Sequence, residues 1–60
     1  MLHNKEKQFY LVEEVAKKLR VSKMTIYRYI DAGKLNAHKI GKEYRISKED
    51  FDDFLRKTRV

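Results

Sequence analysis

Cysteine, proline and tryptophan are absent from this 60-residue chain, and its only glycines are Gly33 and Gly41. Without cysteine there is no disulfide, thiolate zinc site, iron–sulfur cluster or cysteine nucleophile. The two histidines, His3 and His38, cannot complete a tetrahedral metal site without carboxylates. No run approaches the ~20 apolar residues of a membrane span. Residues 1–8 are polar and mixed in charge, unlike a signal peptide. A glycine-rich phosphate loop and a Ser-His-acid spacing are also missing, so the expectation is a protein that is not an enzyme and takes no cofactor. What remains is a soluble, cytoplasmic domain held together by packing alone. A chain of this length buries only about 60% of its unfolded surface, so that packing has little margin.

Charge is what the chain has in quantity. Fifteen Lys and Arg against nine Asp and Glu give a net charge of +6. Residues 17–45 hold nine of the cations (Lys17, Lys18, Arg20, Lys23, Arg28, Lys34, Lys39, Lys42 and Arg45) and only Asp31 and Glu43 as acids, which makes that segment +7 and the flanks together −1. A basic field confined to one segment suits a polyanion, nucleic acid first and an anionic membrane second.

Periodicity supplies the frame. Leu11, Val15, Ala16 and Leu19 recur on one face of a helix, with Glu13 and Glu14 in its first turn and Lys17 and Lys18 in its last, matching the helix dipole at both ends. Ser22 is the expected N-cap of a second helix reaching about Ala32, turned inward by Ile26, Ile30 and part of Tyr29 and stopped by Gly33. Met24 lies off that inward face. From Ala37 to Ile46 the period changes to that of a β-hairpin. A three-residue loop of Gly41, Lys42 and Glu43 pairs Ile40 with Tyr44, Lys39 with Arg45 and His38 with Ile46, placing His38, Ile40, Tyr44 and Ile46 on one packed face. A two-residue Gly41–Lys42 turn pairs Ile40 with Glu43 and buries a mismatch. The three-residue loop is therefore preferred. Ser47 opens a last helix, with Asp50 in the acidic position of a near capping box and Phe51, Phe54 and Leu55 as its docking stripe. Residues 56–60 are expected to fray.

The expected fold is mainly α with a small β-hairpin, one DNA-binding domain over residues 1–60. The helix-turn-helix spans about 11–32, the wing about 37–46 and the last helix about 48–57. Two short helices joined by about three residues, the second rich in Lys, Thr, Tyr and Arg, make a helix-turn-helix whose second helix exposes one side to the major groove. That side carries Lys23, Met24, Tyr27 and Arg28, with Ser22 and Thr25 near its N-terminal end. The wing adds Lys42 at its tip and Lys39 and Arg45 as opposed cations, a pair that repels unless an anion lies between them.

The run VEEVAKKLRVSKMTIYRYIDAGKLNAHKIGKEYRISKEDFDDFL, residues 12–55, resembles the excisionase-type, MerR-like winged helix-turn-helix family and covers 44 of the 60 residues. The resemblance implies a second helix in the major groove and a wing over an adjacent minor groove or backbone. By position, Met24 and Arg28 match recognition-helix contacts, Lys39 and Lys42 match wing contacts, and Ser22 and Thr25 match residues that sit against phosphates. Three positions depart from the family pattern. Leu11 stands where Thr usually caps the first helix, Arg20 replaces the turn glycine, and Asn36 replaces the proline before the wing. All three lie away from the contact positions and bear on stability.

An enzyme built on Glu49, Asp50, Asp52 and Asp53 is the first alternative; carboxylates in the first turns of a helix are more simply an exposed face that complements the dipole. A protein-interaction module, with the acidic last helix docking on a basic partner, is the second. Within DNA binding, a small family member without an effector domain looks like an excisionase, a recombination directionality factor of bacterial or phage origin that bends DNA for an integrase. A small transcriptional regulator is the other role. The expected partners are double-stranded DNA, an integrase or adjacent copies of the chain on that DNA, with a monomer when free and no membrane.

Overall fold

A computed structural model describes residues 9–58. The expectations placed on residues 1–8, on His3 and on residues 59–60 lie outside the described residues. The chain runs β1 (Phe9–Leu11), α1 (Val12–Leu19), α2 (Lys23–Asp31), β2 (His38–Ile40), β3 (Glu43–Ser47) and α3 (Lys48–Thr58). The fold is a winged helix-turn-helix: α1 and α2 form the helix-turn-helix, and β2 and β3 form the wing. None of the described helices is long and apolar enough to cross a membrane.

Local chemistry accounts for the helix ends. Leu11 occupies the N-cap of α1 with an extended backbone, and its side chain has no oxygen to offer the first-turn amides. Compensation comes from Glu14, whose Oε1 accepts the Leu11 N–H at 2.8 Å, one half of a capping box. At the other end Val21 N–H donates to the Ala16 carbonyl at 3.0 Å and Arg20 N–H to Lys17 at 3.2 Å, a Schellman closure. That closure requires a left-handed residue, and Arg20 supplies it at φ 60°. Helix α2 starts on Ser22, whose Oγ accepts the Thr25 N–H at 3.2 Å. It ends in the same closure, with Gly33 at φ 75° and Lys34 N–H on the Tyr29 carbonyl at 2.9 Å. Ser47 caps α3 by accepting the Asp50 N–H at 3.0 Å.

The core gathers Val12, Val15 and Ala16 from α1, Ile26 from α2, Ile46 from β3, and Phe51 and Phe54 from α3. Leu35, at the exit of α2, is buried with them at 1% exposure, although no helical or strand period marked it. Tyr29 closes one side, its ring centroid 5.1 Å from that of Phe54. Leu55 does not join the docking stripe: it is 36% exposed, because Phe51 and Phe54 already take the inward angle of α3. Nor do residues 56–58 fray. Helix α3 continues through them, with Asp53 held by Arg56 and Lys57 at 3.2 Å each and the Thr58 hydroxyl donating to the Phe54 carbonyl at 2.8 Å.

The sheet corrects the hairpin expectation in two respects. It has three strands, ordered β1-β3-β2, because Phe9, Tyr10 and Leu11 pair antiparallel with Ser47, Ile46 and Arg45. The wing also closes through a two-residue Gly41–Lys42 turn, with Ile40 opposite Glu43, Lys39 opposite Tyr44 and His38 opposite Arg45. Gly41 has φ 64° and Lys42 does not share that sign, the pattern of a II′ turn, which places Gly first. The objection to this register was a buried mismatch, and it fails because the Ile40–Glu43 pair faces solvent. Tyr10, Tyr44 and Ile46 occupy the inner face, so strand alternation turns His38 and Ile40 outward. His38 is accordingly an exposed residue rather than a packed one, and Ile40 is 56% exposed.

Arg20 gives the clearest test of these local forces. A non-glycine residue in the left-handed region costs about 1–2 kcal/mol, whereas glycine adds about 0.5–1 kcal/mol of unfolded-state entropy. Arg20→Gly should therefore raise stability by up to about 1 kcal/mol in urea denaturation, with the slope of the transition unchanged.

Candidate nucleic-acid interface

Helix α2 is fixed from one side only. Ile26 is fully buried and Ile30 and Tyr29 pack against the core, which leaves Lys23, Met24, Tyr27 and Arg28 exposed along the other side. At its start the Ser22 and Thr25 hydroxyls lie 3.2 Å apart and share a hydrogen bond. Acidic residues stand in the first turns of α1 and α3, namely Glu13 and Glu14, and Glu49 and Asp50, but none stands in the first turn of α2. The positive end of this helix dipole is thus left without a carboxylate of its own and is reinforced by Lys23.

The wing is held against this side by an aromatic contact. The Tyr27 and Tyr44 ring centroids are 6.0 Å apart at a tilt of 57°. The Lys39 ammonium sits 5.6 Å from the Tyr44 centroid, as the corrected register requires, since Lys39 and Tyr44 are cross-strand neighbours on one face. Glu13, Lys23, Tyr27, Lys42, Glu43 and Tyr44 line a cleft of about 130 Å³ between the start of α2 and the wing turn. Ser22, Lys23, Met24, Thr25, Tyr27, Arg28, Lys39 and Lys42 are thereby arranged along α2 and the adjoining wing.

Arg45 is set apart from them. It lies opposite His38, on the other face of the sheet from Lys39, so the expected pair of opposed cations does not exist. The anion that such a pair demanded is no longer required. Arg45 Nη2 instead donates to Glu43 Oε1 at 3.4 Å, while its Nε is buried without a hydrogen-bond partner. Tyr44, read from the sequence only as a packing residue, proves to be the piece that joins helix and wing. No local signal distinguishes those roles, because both place an aromatic residue on the inner face.

The carboxylates of α3 are engaged elsewhere. Asp52 pairs with Lys48 at 3.5 Å, and Asp50 Oδ2 lies 4.0 Å from His38 Nε2. Asp53 is held below the usual carboxylate range, chiefly by the hydrogen bond and charge of Lys57, against the opposing effect of desolvation and with a lesser contribution from Arg56. A lowered carboxyl favours the folded state above the ordinary carboxylate range and ceases to do so as pH falls through it. Asp53 is therefore part of the helix, as a neutral-pH brace along its exposed side.

The model of the family described as a helix-turn-helix domain matches residues 9–59. The chain belongs to that family, whose excisionase-type pattern its sequence resembles. Over 55 residues it is 38% identical to the uncharacterized protein YvgK of Bacillus subtilis strain 168, covering 92% of this chain and 18% of that protein. Two Mycobacterium tuberculosis proteins, named "Putative DNA-binding protein MT0521" and "Putative DNA-binding protein Rv0500A", are each 42% identical over 48 residues, covering 80% of this chain and 62% of theirs. The chain thus spans less than two thirds of these relatives. No solved structure matches it significantly.

The contact between helix and wing can be measured directly. Aromatic pairs contribute about 0.5–1.5 kcal/mol beyond their buried area. A double-mutant cycle on Tyr27→Leu and Tyr44→Leu, read by denaturation, should return a coupling energy in that range. Additive effects would mean that the wing is held by the backbone ladder alone.

Proposed function

We propose that the chain binds double-stranded DNA sequence-specifically, with α2 in the major groove and the wing against the backbone of the adjacent groove, the three helices and the sheet acting as one domain. The observation that carries this reading is the exposed side of α2. It presents Met24 and Arg28 at helical spacing, is flanked by Lys23, and adjoins the cations Lys39 and Lys42 through the Tyr27–Tyr44 contact. Membership of the helix-turn-helix family and the names of the two mycobacterial relatives support it. Ser22 and Thr25 stand at the start of α2, where a phosphate would meet both their hydroxyls and the helix dipole. Arg45, on the far face of the sheet, belongs to this interface only if DNA wraps around the wing.

Within that class the excisionase-type pattern supports a recombination directionality factor, which bends DNA and works beside an integrase or neighbouring copies of itself. Circularly permuted duplexes that carry the selected site should then show a bend, and the chain should stimulate integrase-dependent excision. Straight complexes, with altered transcription of an adjacent gene, would instead favour a transcriptional regulator.

Phosphate contacts release counterions. For about six contacts, affinity should fall by about 10³ or more between 50 and 200 mM salt. Lys42→Ala should weaken binding evenly across sequences and lower the salt slope by about one. A flat salt response, or no binding to any duplex at low salt, would overturn the reading. Arg28→Ala should cost about 1–3 kcal/mol on the selected site and relax its sequence preference, as measured by competition against random duplex. An equal loss on both DNAs would make Arg28 a phosphate contact.

A further inference from the structure

The exposed side of α2 combines two properties that a phosphate-binding surface does not need together. It is flanked by cations, and it carries apolar surface that none of the described residues covers. Met24 is 63% exposed, with Val21 at 38% in the preceding turn and Tyr27 at 42% one turn along. An exposed methionine in a 60-residue domain with so small a core is apolar surface withheld from packing. Helix α2, KMTIYRYID, contains neither Asn nor Gln, the side chains that read adenine through paired hydrogen bonds. Its single carboxylate, Asp31, is the last helical residue, four residues past Tyr27 and at the opposite end of the helix from Lys23. The exposed side of α2 therefore offers two cationic readers, Lys23 at its start and Arg28 in its last turn, and one long apolar reader, Met24, between them.

We infer that Met24, bordered by Val21 and Tyr27, reads the 5-methyl group of a thymine in the major groove, about two base pairs from a guanine read by Arg28. Among the four bases, only thymine puts an apolar group on the major-groove edge. Met24 and Arg28, four positions apart, are separated by about 6 Å along the helix axis, close to two steps of about 3.4 Å in the duplex. The surrounding charge favours DNA over a protein as the occupant, since Lys23 and Arg28 flank Met24 along α2 and Lys42 shares a cleft with Tyr27. This inference rests on the DNA-binding reading above and deepens it by naming the chemistry of the base that is recognised.

Deoxyuridine tests it, because it removes the methyl group and keeps the base pair. A duplex selected by the full chain is synthesised with each thymine replaced in turn, and binding is followed by fluorescence anisotropy. One replacement should lower affinity by about three- to fivefold, the factor expected for one buried methyl group. Met24→Ala should bind the thymine duplex as weakly as the wild-type chain binds the uracil duplex, and should no longer distinguish the two. Met24→Leu should keep the distinction. Selective binding that is indifferent to every thymine replacement, or a methyl effect that survives Met24→Ala, would overturn the inference and leave DNA binding intact. Failure to bind any duplex would overturn both.

Discussion

Burial of Ile26 is the constraint on which the rest depends. Its side chain is wholly enclosed in a core that also contains Val15 and Ala16 of α1 and Ile46 of β3, so one residue ties both helices of the motif to the sheet. A nine-residue helix has little stability of its own. Helix α2 persists because its inner side is buried, and its outer side is free for function for the same reason. Truncating such a site costs about 2–5 kcal/mol, comparable with the total stability available to a domain this small.

The wing obeys a second constraint. Strand β3 is central, and its inward residues Tyr44 and Ile46 are committed to the interior by pairing with β1 on one side and β2 on the other. Once those two face inward, alternation dictates every other orientation in the sheet. Lys39 falls on the side of Tyr44 and Tyr27, while Arg45 falls on the opposite face, beside Glu43. Cations that look equivalent along the chain thus acquire different surroundings. Lys39 has an aromatic ring beneath it, and Arg45 has a carboxylate beside it.

Charge is distributed with the same economy. Glu13 and Glu14 of α1 and Glu49 and Asp50 of α3 stand in first turns, where the dipole favours them, while Asp52 and Asp53 are paired along α3 with Lys48, Arg56 and Lys57. Helix α2 alone leaves its first turn free of acids. The exposed side of α2 with the adjoining wing turn thus presents Lys23, Arg28 and Lys42 where a duplex backbone can approach them.

What the sequence determined by itself was everything that depends on neighbours within a few residues. The three helices, the Ser22 and Ser47 caps, the stop at Gly33, and the inward and outward sides of α2 were legible because helical periodicity and capping are local, whereas the left-handed conformation of Arg20 was shown only by the structure. The family pattern was legible for the same reason, since it consists of those spacings. Tertiary structure decided the sheet. Strand β1 is three residues long and abuts a helix without a turn, too short for a period of two to register. The segment from His38 to Ser47 admits two registers with Tyr44 and Ile46 inward in both, and the one adopted closes through the two-residue Gly41–Lys42 turn with Ile40 opposite Glu43. The pairing of Tyr10 with Ile46 joins residues 36 positions apart and holds β3 against the core, while the register of β2 on β3 turns Ile40 and His38 to solvent and parts Lys39 from Arg45. Leu35 likewise entered the core only because the closure after Gly33 folds the chain back beneath α2. Contacts of this range carry no signature in local order, since their energy appears only when both surfaces are already in place.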